Sequence, residues 1–380
     1  MRVAIVTESF PPVFNGVANS VVRVLETLKS EGHEAIVIAP TTPGDYFLGF
    51  RTHRVPSFPL FQFQLGLPNP FVSKILDEFK PDVVHAASPV LLGAQAVAWA
   101  ERNQVPAVAI FQTDIAAYAE RYGFKLLRPL VDKAMASFHA SATINLAPTT
   151  EVRDYLVNLG LRNVSVWGRG VDLDLFHPNR KFSAEVVKLR ADYAPNGEKI
   201  VGFVGRLAAE KQVDRFKELF SIENTTFVIV GDGPERNNLV QNFEGAPVHF
   251  AGKRVGEDLA NHYASFDAFV HFGTEETFGQ TIQEAQAAGV PVLAPCAGGP
   301  KFLIESGVSG FLIDPKIQLG FTSVLENLLR DDALSARIAE SGRRSVLNKS
   351  WKSNNEKLLG FYDEALELTR QRISSELLVA

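Results

Sequence analysis

The chain has 380 residues, 46% of them hydrophobic and 21% charged, which suits two globular domains and excludes a disordered or fibrous chain. Its net charge of −5 argues against general nucleic-acid binding, and the excess of acid lies in the second half. No window reaches the roughly 18 uncharged apolar residues of a membrane span, the opening apolar run is too short for a secretion signal, and Cys296 is the only cysteine, so a reducing, cytoplasmic setting without disulfides is expected.

In chain order, residues 2–7 predict a β-branched strand. Pro11-Pro12 blocks an immediate helix, Asn15-Gly16 makes a turn, and 17–29 carries Val21, Val24, Leu25 and Leu28 at helical spacing, ended by Gly32. Strands follow at 34–39, 82–85, 107–110 and 142–145, with helical patterns at 90–102 and 128–138. Residues 46–74 hold Arg51, Arg54 and Lys74, no acid, and Tyr46, Phe47, Phe50, Phe58, Phe61, Phe63 and Phe71. Arginines among aromatics can rest on anionic lipid headgroups; the same rings can equally pack into a core.

A turn-rich stretch, 168–178, reads as a linker. A second series of short strands, 200–204, 226–230, 248–251, 268–272 and 292–294, has the continuous apolar composition of parallel strands buried on both faces. Beyond Gly310 the pattern is mostly helical, and 351–372 predicts a long terminal helix. The expected architecture is α/β: Rossmann-like doubly wound domains at 1–168 and 169–350, and a terminal helix within 351–380. Ligands of such sheets bind beyond the carboxyl ends of the strands, so the loops there are where chemistry is sought.

The strand 200–204 runs into Gly205-Arg206-Leu-Ala-Ala-Glu-Lys211. A lysine near the start of the following helix would oppose its dipole, and a local rule broken beside a strand end marks a site. Arg206 and Lys211 together suit a diphosphate. Gly16 lets backbone approach a phosphate, and the helix behind it offers N–H groups. The three-glycine dinucleotide fingerprint is missing after every strand, which argues against a nicotinamide dehydrogenase. After the strand 268–272, Glu276 precedes a helix predicted over 278–288 and Glu284 lies about two turns on, a separation of at most ~12 Å. Free N–H groups of Phe278, Gly279 and Gln280 would face a ligand. The spacing alone carries little.

Its surroundings carry more. Glu276-Thr-Phe-Gly279 with Glu284-Ala, Ala-Ala-Gly-Val-Pro-Val, the upstream Arg206 and Lys211, Asn15-Gly16-Val17, the run from Gly170-Val-Asp to His177-Pro178, Gly231-Asp-Gly-Pro-Glu235 and Gly298-Gly-Pro300 together resemble family 4 of the retaining GT-B glycosyltransferases. The resemblance runs from residue 1 to about 315 and is strongest toward bacterial GDP-mannose-dependent α-mannosyltransferases of glycolipid and lipomannan synthesis. UDP-sugar-dependent glycolipid transferases of sulfoquinovosyl or glucosyl type are near neighbours.

The resemblance implies two domains facing across a cleft, with the terminal helix crossing back to the N-terminal one. It implies acceptor binding in the first domain and a nucleotide-sugar donor in the second. Arg206 and Lys211 would hold the diphosphate near Gly16, Glu284 the ribose, Glu276 with the Phe278–Gly279 backbone and Gln280 the transferred sugar, and Lys253 to Val255 would border the base. Where many relatives carry a histidine this chain has Gln112, followed by Asp114; both, with Arg51 and Phe61, are acceptor-side candidates. Front-face displacement with no cofactor and no required metal is implied, at a lipid acceptor on the inner membrane face. Asp172-Leu-Asp174 reads as turn and capping rather than metal ligation, the histidines lack metal spacing, and His85 reads as structural. A non-catalytic sugar-binding module is the competing class.

Overall fold

The computed structural model describes residues 1–13, 15–60, 63–88, 90–112, 128–317 and 319–379. The chain divides into two compact units, Met1–Arg169 together with Trp351–Ala380, and Gly170–Ser350.

The first unit contains β1 (Arg2–Val6), α1 (Gly16–Ser30), β2 (Glu34–Ala39), β3 (Tyr46–Phe47), β4 (Phe50–Arg54), β5 (Ser57–Leu60), β6 (Phe63–Gly66), α2 (Pro70–Phe79), β7 (Val83–Ala86), α3 (Leu91–Arg102), β8 (Ala107–Ile110), α4 (Arg128–Ala140), β9 (Ile144–Ala147), α5 (Thr150–Asn158) and β10 (Val164–Val166). Its main sheet has the order β10-β9-β8-β7-β1-β2-β4-β3, parallel except for the β3–β4 edge pair, and β5 with β6 forms a separate antiparallel hairpin. From β1 the chain steps one way to β2 and β4, then returns to place β7 on β1's other side. That reversal is the switch point where open α/β sheets present their ligand crevice.

Local chemistry starts the helices. Asn15 accepts the Ala18 N–H at the head of α1, Asn69 accepts the Phe71 N–H ahead of Pro70 in α2, and Thr149 accepts the Val152 N–H of α5. The terminal helix, Trp351–Val379, belongs to this unit, as the resemblance implied. It buries Leu358, Tyr362 and Ala365 with Val3, Ile5 and Leu25 of the sheet and α1. Burying a large apolar side chain such as Leu358 contributes about 1.5–3 kcal/mol. Asn355 donates from Nδ2 to Arg23 O and Thr27 Oγ1, both at 2.9 Å, and the Tyr362 hydroxyl lies 2.5 Å from His85 Nδ1.

The stretch 46–74, for which a lipid-facing surface and packing into a core were both open, forms strands, a hairpin and α2. Phe50 is buried, Phe47 packs on the core with its ring centroid 5.2 Å from that of Phe10, and only Tyr46 and Phe71 among its described rings are largely exposed. Tertiary packing claimed those rings, which no periodic pattern had announced.

The second unit contains α6 (Ala184–Tyr193), β11 (Lys199–Val204), β12 (Thr225–Val230), α7 (Arg236–Asn242), β13 (Val248–Gly252), α8 (Gly256–Ser265), β14 (Ala268–Val270), α9 (Gln280–Ala287), β15 (Val292–Pro295), α10 (Pro300–Leu303), β16 (Phe311–Ile313), α11 (Gly320–Arg330) and α12 (Asp332–Val346). Its sheet, all parallel, has the order β13-β12-β11-β14-β15-β16. Val201, Phe203, Phe227, Ile229, Val270 and Leu293 are buried, as expected of strands covered on both faces. The order reverses between β11 and β14, so the loops leaving these two strands flank the unit's switch point.

Candidate functional site

The loop after β11 is stitched to the loop after β12. Leu207 N–H donates to Asp232 O at 3.0 Å, and Glu235 N–H donates to Leu207 O at 2.9 Å. Arg206, next to Leu207, is exposed, so the stitched loops present it at the sheet's carboxyl end.

Lys211 corrects one expectation. No α-helix begins beside it; the chain makes two short 3₁₀ turns, Ala209–Lys211 and Val213–Leu219, separated by Gln212 at φ 49°. The left-handed Gln212 breaks the helix, so Lys211 ends a turn and opposes no macrodipole. Its charge is met by Glu276, with which it forms a close ion pair, and Gln212 Nε2 donates to Thr274 Oγ1 at 3.0 Å. The two loops of the switch point are thereby joined through Lys211–Glu276 and Gln212–Thr274.

The helix beyond Glu276 begins at Gln280, two residues later than its pattern suggested. Gly279 sits at φ 100°, a left-handed value that a side-chain-bearing residue adopts only under strain, and holds the last turn before the helix open. Its N–H is not free, as expected above, but donates to Glu276 Oε1 at 3.2 Å. Glu276 is thus held by Lys211 at one oxygen and by the Gly279 backbone at the other. Phe278 is buried, and Gln280 donates from Nε2 to Gly170 O at 3.0 Å.

Glu284, part-buried on α9, accepts at Oε2 from the Tyr263 hydroxyl at 2.9 Å. Tyr263 is fully buried, and burial followed by the nearby Glu284 raises its pKa well above the usual phenol value, so it keeps the proton that it donates to Glu284. Lys253 and Val255 are exposed in the turn after β13, whereas Arg254 folds back, donating to Ala251 O at 2.9 Å and Asp258 Oδ2 at 3.0 Å.

In the first unit Gly16 opens α1, and an added Cβ there would lie 2.1 Å from Arg169 Nη1. Any side chain at Gly16 would have to displace that guanidinium. Arg169 Nη2 also donates to Gln112 Oε1 at 3.3 Å, and Gln112 is buried. Arg51 is exposed on β4; strand alternation sends it and Arg54 to opposite faces, so the two do not build one basic patch. Phe61 and Asp114 lie outside the described residues.

Four residues escaped the sequence reading. Arg169 lay between two glycines in what read as linker. Tyr263 carried no motif that singled it out. His271, just after β14, is 1% exposed, with its Nε2 3.8 Å from Glu276 Oε2; its only signal was a polar residue ending an apolar strand. Glu8 follows β1 and is buried, accepting from Gly66 N–H at 2.6 Å and Leu92 N–H at 2.8 Å. It therefore bridges β6 and α3 at the first unit's switch point. Burial outweighs those backbone donors and raises its pKa to about 7.

Around its switch point the second unit places an exposed arginine, a lysine–glutamate ion pair and a second carboxylate braced by a phenol. Among the described residues no group of three or more His, Cys, Asp or Glu is placed to hold a metal ion, and no helix is long and apolar enough to cross a membrane.

Two family models match the chain: Glycosyltransferase Family 4 over residues 14–175 and Glycosyl transferases group 1 over residues 188–345. A GDP-mannose-dependent alpha-mannosyltransferase of Corynebacterium glutamicum is 41% identical over 98% of this chain and 91% of its own. One from Mycolicibacterium smegmatis is 43% identical over 96% and 98%. Among solved structures, the Anabaena protein HepE in complex with UDP superposes with a TM-score of 0.79 at 20% identity, covering 96% of this chain and all of that one, which shows a shared fold.

Proposed function

The chain belongs to the family 4 glycosyltransferases of GT-B fold, and from that premise we propose that it transfers mannose from GDP-mannose, with retention, to a lipid-linked acceptor. The observation that carries this reading is the Lys211–Glu276 pair at the switch point of the second unit. It keeps a diphosphate-binding cation and a sugar-binding carboxylate in register within one site. The choice of donor is supported by relatives above 40% identity along nearly the whole chain, both named for GDP-mannose.

In the proposed reaction the acceptor hydroxyl attacks the anomeric carbon from the face the diphosphate leaves. The new C–O bond forms as the bond to the diphosphate oxygen breaks, and the acceptor proton passes to a phosphate oxygen of the departing GDP. Arg206 and Lys211 would stabilise the charge developing there, the main catalytic term in such a step. Glu276, braced by the Gly279 N–H, would fix the sugar, Glu284 the ribose, and Lys253 and Val255 would border the base. Gly16 would serve the phosphates, as the resemblance implies, and Gln112 would serve the acceptor. No metal ion is needed in this scheme, so turnover should be unchanged by chelator.

We further propose peripheral contact with an anionic membrane on the cytoplasmic side. Exposed Tyr46, Phe71 and Leu130 together with Arg51 support it. Charge reversal at Arg51 should weaken sedimentation with vesicles of anionic lipid; unchanged sedimentation would remove this surface.

The decisive experiment is a donor screen with membrane lipid extract, reading nucleotide release and the glycolipid formed. GDP release from GDP-mannose with a mannosylated lipid is expected, and release from a UDP-sugar alone would replace the donor. Glu276→Ala should abolish turnover while GDP affinity stays within about threefold, because the carboxylate serves the sugar rather than the nucleotide.

A further inference from the structure

We propose that His271 is a positioning residue that holds the Glu276 carboxylate when Lys211 turns from it toward the donor diphosphate. The inference rests on the donor-site reading above. It starts from a buried polar group that the fold does not use. His271 is 1% exposed, and neither ring nitrogen makes a well-formed hydrogen bond with a described residue; the Gly273 backbone is a polar neighbour that lies outside that geometry. A buried polar group left in that state lowers stability, and an apolar residue would extend the strand at less cost.

The ring is nevertheless aimed. Its face stacks on Phe203, with centroids 6.2 Å apart and planes within 11°, which constrains the ring plane. That nitrogen lies 3.8 Å from Glu276 Oε2, the oxygen that also receives Lys211. Closing the gap to a hydrogen bond takes a shift of about 1 Å. The loop is shaped round the ring: a Cβ added at Gly273 would come within 3.0 Å of Nε2 and 2.8 Å of Glu210 O. Burial, followed by the Lys211 charge, lowers the His271 pKa to about 4. The imidazole is therefore neutral at pH 7 and offers one N–H without adding a second cation to the pair.

Two needs conflict in the donor site, and His271 resolves them. Lys211 serves the diphosphate only by loosening its grip on Glu276, yet Glu276 must keep its place to hold the sugar. A neutral N–H beside the same oxygen keeps the carboxylate oriented through that exchange. Reserving a polar group for a ligand-bound arrangement at the expense of the free protein's stability is a usual pattern at functional sites.

The test uses the full chain with His271→Leu, similar in volume and without an N–H, and His271→Gln, which restores a donor at similar reach. Three readouts are compared: melting temperature, GDP affinity by calorimetry, and the kcat and KM for GDP-mannose. His271→Leu should melt no lower than wild type and bind GDP within twofold, with kcat reduced at least tenfold; His271→Gln should recover at least a third of wild-type kcat. A Leu variant with wild-type kcat, or one that melts clearly lower, overturns the proposal, as does equal loss of kcat in both variants. If the wild type releases nucleotide from no sugar nucleotide, the donor reading fails instead. The melting comparison then still decides whether His271 is merely structural.

Discussion

Replacing Tyr263 by Phe removes one hydroxyl from beneath the proposed ribose carboxylate and leaves the ring where it is. The ring is fully buried, edge-on to Phe176 with centroids 5.5 Å apart and 5.8 Å from Phe269, contacts that Phe reproduces. What goes is the donor to Glu284 Oε2 at 2.9 Å, whose second neighbour is Thr281 O at 3.2 Å. A hydrogen bond to an ionised group contributes about 1.5–3 kcal/mol net, and the partial exposure of Glu284 puts this one at the lower end because water replaces part of it. If about 1–1.5 kcal/mol of that is orientation delivered to a bound nucleotide, GDP affinity falls about five- to tenfold. Calorimetric titration of wild type and Tyr263→Phe with GDP measures this directly. At saturating donor, kcat should stay within about twofold, since Glu284 is assigned to the nucleotide and not to the moving sugar. A variant with lowered melting temperature and unchanged GDP affinity would refute the reasoning, and Tyr263 would then serve packing and α9 alone.

Two further outcomes follow from the first unit. Between the unfolded pKa of 4.5 and about 7 the folded protein keeps the Glu8 proton that the unfolded chain has lost, so its stability falls as pH rises through that window, by about 3 kcal/mol. Glu8→Gln, neutral throughout, should lose that slope; urea unfolding of both proteins at pH 5 and pH 7.5 reads the difference, and identical slopes would show that Glu8 does not titrate as described. His85 and His139, held neutral by burial with pKa values lowered to about 3 and about 4, pull stability the opposite way in acid. They do so equally in both proteins and cancel in the comparison. Gln112→His should retain activity in the donor-release assay, because an imidazole can accept the Arg169 hydrogen bond that Gln112 Oε1 now takes at 3.3 Å; complete loss with the fold intact would mean the amide does more than hydrogen-bond.

Much of the architecture was legible because it is written in local patterns. Strands covered on both faces read as unbroken apolar runs, and β2 and β8 were found residue for residue at 34–39 and 107–110. Misses came where local pattern and tertiary demand diverge. The β3–β4 edge pair, the β5–β6 hairpin and α2 lay hidden in an aromatic stretch whose rings were sorted between core and surface by neighbours distant in the chain. The helix start was misplaced because Gly279 adopts a left-handed conformation that composition alone does not announce.

The same division runs through the site. Sequence by itself put Arg206, Lys211, Glu276 and Glu284 in and around the loops at strand ends, because the α/β alternation orders those loops along the chain. Only the tertiary structure joined Lys211 to Glu276 across 65 residues, set Tyr263 beneath Glu284, laid Arg169 over Gly16 and shut His271 away from water. The physical reason is that a side chain's charge state and orientation depend on what surrounds it in space. Desolvation and ion pairing act over a few ångströms, and the sheet order decides which distant residues come that close.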